Sequence, residues 1–274
     1  MLWGLIMLQF VSLLSGSSGN AAYISDGKTR ILVDCGASGK KISGALNEIG
    51  VAPESIDAML ITHEHSDHIQ GAGIMARRYK LPIYATAHTH REMKIGAVGE
   101  EMIKEVSPDK AFEIGTIGIT PFKIPHDAAM PVGYTFSDGH EKAALATDIG
   151  CMSDYILSHL YGSKKIILES NHDVEMLRMG AYPYPLKQRI LSDIGHLSNK
   201  AAAQTALELI NHGTEQLMLG HLSIQNNLPE IAVMETYNLL TASGVKVGFD
   251  VTLQVADRYK VTQFEKMPQK KESV

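Results

Sequence analysis

The chain has 274 residues, of which 45% are hydrophobic and 20% are charged. This composition supports one large core or two fused halves rather than a string of small modules, and no low-complexity tract interrupts it. The formal net charge is −5, so the composition does not indicate a broad nucleic-acid-binding surface. We expect a single domain over residues 7–260, with flexible ends at 1–6 and 261–274.

Cysteine usage and the apolar start suggest where the protein resides. Cys35 and Cys151 are far apart, unlike the dense spacing of a secreted disulfide framework. The opening segment MLWGLIMLQFVSLL lacks a basic leading region and a small-residue cleavage site, and it is too short to span a bilayer. We predict that its second half forms the first core strand, with Met7 as an alternative start. The expected location is the reducing cytoplasm, without membrane attachment.

Short apolar runs alternate with helical patterns along the chain. In chain order the predicted strands are LQFVSLL, AAYIS, TRILVD, AMLIT, PIYATA, GITPFKI, VGYTF, AALATD, KIILE, QLMLG, KVGFD and TLQVA. The predicted helices lie near 39–49, 67–79, 172–180, 184–192, 199–212 and 229–243. This alternation predicts an α/β chain rather than a helix bundle or an all-β sandwich.

Several predicted strands carry an acidic residue or a histidine at, or just after, their carboxyl end. These residues are Asp34, His63, His126, Asp148 and His221. Because the carboxyl ends of strands in an open α/β sheet gather at one edge, side chains from distant segments can converge there. The sequence therefore predicts one functional site built from widely separated positions.

The segment MLITHEHSDHIQG at 59–71 is the densest cluster of metal-binding residue types in the chain. His63 and His65, two positions apart on an extended segment, are expected to point to the same side. The chain then turns into a helix, where Asp67 and His68 are expected to face a second ion. Imidazoles and carboxylates bind zinc, manganese or iron, and six or seven such groups can hold two ions about 3.5–4 Å apart. The segment therefore indicates a two-metal site.

The pattern H-x-H-x-D-H at 63–68 resembles the signature of the metallo-β-lactamase superfamily. The resemblance implies a four-layer αββα sandwich, with two sheets packed face to face and helices outside. The implied ligands are His63, His65 and His126 for one metal, Asp67, His68 and His221 for the other, and Asp148 shared between them. Asp34 matches the first motif of the superfamily and is expected to orient a ligand rather than to bind metal.

The tetrapeptide GHLS occurs at 195–198 and again at 220–223. The second copy follows an apolar strand, whereas the first precedes the helical pattern SNKAAAQTALELI, with Ser198 as the predicted N-cap. His196 is therefore expected beside a helix N-terminus, which favours an anion such as phosphate. In ribonuclease Z and related phosphodiesterases of the superfamily, a histidine at a comparable place contacts the scissile phosphate or protonates the leaving oxygen. Capping or packing is the alternative role for His196.

Further segments resemble one branch of the superfamily. They are FVSLLSGSSGN, ILVDCGASGKKI, THEHSDHIQG, ALATDIG, ESNHDVEML, GHLSNKAAA and LGHLSIQNN. These segments resemble the YycJ/WalJ-type branch, bacterial cytoplasmic proteins regarded as DNA exonucleases. The resemblance implies a DNA substrate, 5′ to 3′ digestion, and a hydroxide bridging two zinc or manganese ions, or iron, as the nucleophile. Asp67 is expected to orient this hydroxide or to accept its proton.

Small polar residues near the expected sheet edge are candidates for substrate binding. The loop SGSSGN contains Ser17, Ser18 and Asn20, and it is compatible with an anion-binding nest or with a plain tight turn. Asn171 and His172 follow the strand KIILES, where they are expected either to reach the site or to cap a helix. Ser198 completes the set of candidates, next to His196 in the first GHLS copy.

Other classes of function share these features. A thioester or lactone hydrolase of the same fold keeps the metal ligands but leaves His196 unexplained. A non-catalytic, metal-bearing module that binds nucleic acid would be expected to have lost ligands. A mononuclear iron dioxygenase would not need His68 or His221. The complete ligand pattern together with His196 favours a phosphodiesterase.

Overall fold

The computed structural model describes residues 8–267. In chain order the strands are β1 (Gln9–Leu14), β2 (Ala21–Ser25), β3 (Arg30–Val33), β4 (Ala58–Leu60), β5 (Ile83–Thr86), β6 (Ile103–Val106), β7 (Phe112–Ile114), β8 (Ile117–Lys123), β9 (Val132–Ser137), β10 (Lys142–Ala146), β11 (Lys165–Glu169), β12 (Gln216–Gly220), β13 (Thr252–Val255) and β14 (Thr262–Gln263). The α-helices are α1 (Gly39–Glu48), α2 (Ser66–Ile69), α3 (Ala72–Tyr79), α4 (Ala87–Glu92), α5 (Asp154–Leu160), α6 (Val174–Met179), α7 (Tyr184–Ile190), α8 (Asn199–Asn211) and α9 (Pro229–Ala242).

The strands form two seven-stranded sheets that pack face to face, with helices on both outer surfaces. The strand orders are β14-β1-β2-β3-β4-β5-β6 and β13-β12-β11-β10-β9-β8-β7. Ile24 of the first sheet and Phe136 of the second belong to the core between the sheets. Ile42 of α1 packs in the outer core of the first sheet, and Leu209 of α8 packs in that of the second. The predicted αββα sandwich is confirmed.

Parallel pairing explains why the polar strand ends meet. Strands β3 to β6 are parallel in one sheet, and β10 to β13 are parallel in the other. Strands β3, β4, β10, β11 and β12 all end at one edge of the sandwich, which we call the crest. Asp34, Asp148 and His221 each turn the chain there with a left-handed backbone, at φ values of 59°, 59° and 54°. Non-glycine residues rarely adopt this conformation, and such strain concentrates at functional sites.

The structure also differs from the predicted elements. Strands β6 and β7 and helices α4 and α5 were absent from the sequence prediction, and the predicted strand KVGFD instead forms a turn closed by a bridge between Val247 and Val251. The predicted helix 67–79 is split into α2 and α3 at Gly71. A side chain there would place Cβ 2.3 Å from the carbonyl oxygen of Ala37, so this close packing requires glycine.

The ends of the chain extend the first sheet. Strand β14 pairs antiparallel with β1, joining Gln263 to Val11 and Thr262 to Ser12. This strand lies beyond the predicted domain end at residue 260, within the C-terminal segment that was expected to be flexible. The predicted extension at 1–6, the alternative start at Met7 and residues 268–274 lie outside the described residues. No helix within residues 8–267 combines the length and hydropathy needed to cross a membrane.

Candidate metal centre

Three histidine nitrogens converge above the end of β4. His63 Nε2 lies 3.0 Å from His65 Nδ1, and His126 Nε2 lies 3.3 Å from the same atom. A tetrahedral zinc ion with bonds of about 2.0–2.1 Å requires ligand nitrogens roughly 3.3–3.4 Å apart, so this spacing suits one cation. Burial and the neighbouring histidines hold the pKa of His63 well below its ordinary value. Its imidazole is therefore neutral, which is the form that binds metal.

A second group of ligand atoms lies beside the first. Asp67 Oδ2 is 3.7 Å from His68 Nε2 and 3.7 Å from His221 Nε2. His221 Nε2 is buried and has no hydrogen-bond partner within residues 8–267. An unpaired buried polar atom costs about 1–3 kcal/mol. A cation bound by this group would satisfy that nitrogen.

Asp148 lies between the two groups. Its Oδ2 is 3.4 Å from His68 Nε2, and its Oδ1 is 3.8 Å from His126 Nε2. Oδ2 is also buried without a hydrogen-bond partner in the described part of the chain. Oδ1 also lies 3.5 Å from His221 Nδ1, so the carboxylate as a whole contacts both groups. This position suits a carboxylate shared by two ions.

Hydrogen bonds from outside the cluster orient its histidines. Asp34 accepts hydrogen bonds from His68 Nδ1 and from the backbone N–H of Thr62, both at 2.8 Å. Burial opposes protonation of His68, but the charges of Asp148 and Asp34 outweigh it and raise the pKa of His68 to about 9, so a cation that binds its Nε2 must displace a proton. His126 Nδ1 donates to the carbonyl oxygen of Gly195 at 3.1 Å. Such contacts determine which ring nitrogen faces a metal.

Glu169, the last residue of β11, contacts the site although the sequence patterns did not single it out. It is fully buried, and His196 and His221 both donate through Nδ1 to its Oε1 at 2.8 Å. The backbone N–H groups of Ile149 and Leu197 donate to its Oε2. Burial favours the neutral acid, yet His196 and His221 hold the pKa of Glu169 below its ordinary value. The one feature of the sequence that could have indicated Glu169 is its position at the carboxyl end of a strand.

A cavity of about 180 Å³, which we call the site cavity, opens over both ligand groups. His196, Asn171 and Ser17 line it, together with members of both groups. Ser17 and Ser18 also line an adjoining open cavity of about 800 Å³, which reaches His65 and Asp67. Ser17, Ser18 and Asn171 therefore lie where a substrate could contact them.

The other predicted substrate-binding residues, Asn20, His172 and Ser198, line neither of these two cavities. Asn20 is buried, and its Nδ2 lies 3.1 Å from His68 Nε2. Ser198 caps α8, since its side chain accepts a hydrogen bond from Ala201 N at 3.3 Å. His172 is only 1% exposed and is not among the residues that line the site cavity. Sequence position alone placed these three residues near the crest but could not show which way they face.

The buried His172 makes folding stability sensitive to pH. Neither of its ring nitrogens has a hydrogen-bond partner within residues 8–267, and burial lowers its pKa from 6.5 to about 4. As the pH falls, His172 is therefore protonated in the unfolded chain before it is protonated in the folded chain. The unfolding free energy is unaffected by this difference above pH 6.5 and decreases as the pH falls towards 4. We expect the wild type to lose about 3 kcal/mol of unfolding free energy relative to His172→Leu across this range.

Urea unfolding of both proteins at several pH values between 7 and 4 measures this difference. All other ionisable groups are present in both proteins, so their contributions to the pH dependence cancel in the comparison. Parallel pH dependence in the two proteins would show that His172 does not titrate between pH 6.5 and 4.

Gly36 allows the loop after β3 to pack against the metal-site loop. A Cβ at Gly36 would lie 1.6 Å from the carbonyl oxygen of Asp67, so Gly36→Ala must displace that backbone. We expect it to lower the unfolding free energy by about 1–3 kcal/mol or more and to weaken metal binding. Gly44→Ala is the matched control, since a Cβ there meets no atom within 4 Å and favours the helix by about 0.5–1 kcal/mol. Similar denaturation midpoints for the two variants would contradict this account.

The fold and the ligand cluster together define a metallohydrolase of the αββα sandwich class. A family model described as "Beta-lactamase superfamily domain" matches residues 29–222. The chain is 43% identical over 251 residues to the exodeoxyribonuclease WalJ of Streptococcus pneumoniae, covering 89% of this chain and 93% of that protein. It is 41% identical over 245 residues to the exodeoxyribonuclease YycJ of Bacillus anthracis, covering 88% and 92% respectively.

Comparison with solved structures supports the same fold. The metallo-β-lactamase fold protein YhfI of Bacillus subtilis superposes with a TM-score of 0.68 at 19% identity, covering 93% of this chain and 98% of that one. The chain therefore belongs to the metallo-β-lactamase superfamily, in the branch that contains WalJ and YycJ. The superfamily and branch predicted from the sequence motifs are confirmed.

Proposed function

We propose that this protein is a metal-dependent DNA exonuclease that digests from 5′ to 3′. The observation that carries the proposal is the Glu169–His196 hydrogen bond, at 2.8 Å, beside the two groups of metal ligands. A phosphodiesterase needs cations for the phosphate and an acid for the leaving oxygen, and this arrangement offers both. The exodeoxyribonuclease names of WalJ and YycJ, at 43% and 41% identity, support DNA as the substrate.

The residues present fit two divalent cations, zinc or manganese, with iron as a third option. His63, His65 and His126 would hold one cation; Asp67, His68 and His221 would hold the other; and Asp148 would contact both. When bound, the cations would supply Lewis acidity that activates water near neutral pH and offsets the charge of a phosphodiester. Mixed nitrogen and oxygen ligands accept all three metals, so ligand type does not select among them.

Asp67 combines a metal-ligand position with exposure to the site cavity. Burial opposes ionisation of its carboxyl group, but His221 and His68 hold its pKa below the ordinary value. The carboxylate is therefore ionised at neutral pH, and it lines both the site cavity and the adjoining open cavity. It can orient the attacking water or accept its proton.

His196 is oriented to act on the leaving group. Its Nδ1 donates to Glu169, so Nε2 is the ring nitrogen that remains for a substrate. The ring lines the site cavity and is 17% exposed, which allows contact with a phosphate or a departing sugar oxygen. The ionised Glu169 stabilises the protonated imidazole, as a proton donor requires.

Two rival functions predict different activities. A thioester or lactone hydrolase would use the same metal ligands but has no need of the Glu169–His196 pair. A non-catalytic, nucleic-acid-binding module would bind metal and DNA without turnover.

We also propose that the protein acts in the cytoplasm without a membrane partner, which agrees with the free thiols of Cys35 and Cys151.

The test is hydrolysis by the purified protein, reconstituted with zinc or manganese, on DNA labelled at the 5′ or the 3′ end. Matched RNA, an acyl thioester and a lactone are assayed beside it, and chelator-treated protein is the control. We expect progressive release of nucleotides from the 5′ end of DNA and no acyl hydrolysis. Acyl hydrolysis without nucleic-acid cleavage would contradict the proposal, as would metal binding without turnover on any substrate.

A further inference from the structure

One wall of the site cavity comes from the segment that precedes His196. Tyr182, Leu186, Arg189 and Ile190 line this wall, and the last three lie on one face of α7. Helix α7 has no fully buried residue, so burial of its side chains in the protein core does not explain its position. This segment is therefore available to contact a substrate.

Close backbone packing holds the segment against the crest. A Cβ at Gly150, in the loop after Asp148, would lie 2.2 Å from the carbonyl oxygen of Asp193 in the segment. Within the segment itself, a Cβ at Gly195 would lie 2.2 Å from the carbonyl oxygen of Ile190. The same segment fixes His126 through the carbonyl oxygen of Gly195. The cavity wall is therefore packed directly onto the loops that carry the metal ligands.

Arg189 is the basic side chain of this wall. Its Nε donates to Asp127 Oδ2, and no other hydrogen bond to its guanidinium occurs within residues 8–267. The side chain of Arg189 is 47% exposed, so the free edge of the guanidinium is accessible. Among the described residues that line the site cavity, it is the only arginine or lysine. The carboxylates of Asp67 and Asp148 and several histidines line the rest of the cavity.

We propose that Arg189 binds a phosphate of the DNA strand that flanks the scissile phosphate, with Asp127 holding the guanidinium at the cavity. This inference rests on the proposed phosphodiesterase function. A guanidinium tethered through Nε keeps two Nη groups on its free edge, and their fork geometry matches two phosphate oxygens. A polynucleotide offers flanking phosphates, whereas a simple phosphodiester offers none. Arg189 therefore selects a strand over an isolated diester.

The test compares Arg189→Ala and Arg189→Lys on a DNA oligonucleotide and on bis(p-nitrophenyl) phosphate, which has no flanking phosphate. Loss of a charge-assisted contact is expected to raise KM for DNA about 10–100-fold, with partial recovery in the lysine variant. Turnover of bis(p-nitrophenyl) phosphate is expected to stay within about 2-fold of wild type. The slope of log kcat/KM for DNA against log salt concentration is expected to fall by about 1 in Arg189→Ala.

Arg178→Ala is the matched control, because Arg178 is exposed on α6 and its guanidinium pairs with Glu175 rather than with the cavity. Asp127 Oδ1 lies 3.5 Å from His126 Nε2. Equal losses on both substrates in Arg189→Ala would overturn the inference, since they would mean that the Arg189–Asp127 pair only supports His126. Unchanged KM for DNA would overturn it as well, while leaving the proposed function intact. If the wild type cleaved neither substrate, the proposed function would fail and this inference with it.

Discussion

Replacing Asp148 by asparagine is expected to lower phosphodiester hydrolysis on the order of 10³-fold. The carboxylate faces both groups of ligands, and its oxygens lie 3.4 Å from His68 Nε2 and 3.8 Å from His126 Nε2. An amide has no charge to offset two cations and coordinates metal weakly. The several kcal/mol of transition-state stabilisation that bound metal supplies would then be largely lost.

Metal analysis and steady-state kinetics on the same preparation measure this effect. We expect Asp148→Asn to retain fewer than two ions per chain at metal concentrations that saturate the wild type. Asp173→Asn is the control, because Asp173 accepts a hydrogen bond from Met176 N at 2.8 Å to cap α6, and asparagine also caps helices well. Full metal content and wild-type activity in Asp148→Asn would contradict the assignment of a shared ligand.

Removing the His196 side chain is expected to lower DNA hydrolysis about 10²–10⁴-fold while metal binding is retained. The reason is that a sugar oxygen is a poor leaving group and needs a proton. The loss is expected to be much smaller for bis(p-nitrophenyl) phosphate, whose nitrophenolate leaves without protonation. A structural role for His196 would reduce both activities alike, so the ratio of the two losses distinguishes proton donation from support of the fold.

Glu169→Gln gives a graded version of the same test. The glutamine oxygen can still accept a hydrogen bond from His196 Nδ1, but glutamine carries no charge, and its NH2 group then faces the backbone N–H groups of Ile149 and Leu197. We expect about a 10–100-fold loss on DNA, in the range found for residues that orient a metal site. His140→Ala is the matched control, since His140 lies on an exposed turn. Wild-type rates on DNA for both His196→Ala and Glu169→Gln would rule out the proposed proton donor.

The convergence of the ligands could be predicted from the sequence because it follows from topology. Parallel strands place their carboxyl ends together, so polar residues at the ends of apolar runs meet at one crest. The structure brings Asp34, His63, Asp148 and His221 together there, as this rule predicts. Glu169 obeys the same rule, but its strand KIILES also reads as an ordinary buried strand with a polar end. Only the hydrogen bonds from two histidines reveal its role.

Features that depend on long-range packing could not be predicted in the same way. Strand β6 is an exposed edge strand whose residues do not alternate between apolar and polar. Its pairing with β5 therefore cannot be recognised from its own sequence. The break between α2 and α3 depends on Gly71 packing against Ala37, which lies over 30 positions away. The inward orientations of Asn20 and His172 likewise follow from surrounding elements. Arg189 lies on a helix whose sequence shows no buried face, and only its position over the cavity suggests a role.

The two-metal site is tested most directly by titrating metal-free protein with zinc or manganese and measuring bound ions and DNA hydrolysis at each step. We expect hydrolysis of end-labelled DNA to saturate at two ions per chain. We expect the double variant Asp67→Ala/Asp148→Asn to bind fewer than two ions per chain and to show no hydrolysis above background. Full DNA hydrolysis with one bound ion, or two bound ions without any DNA hydrolysis, would contradict these expectations.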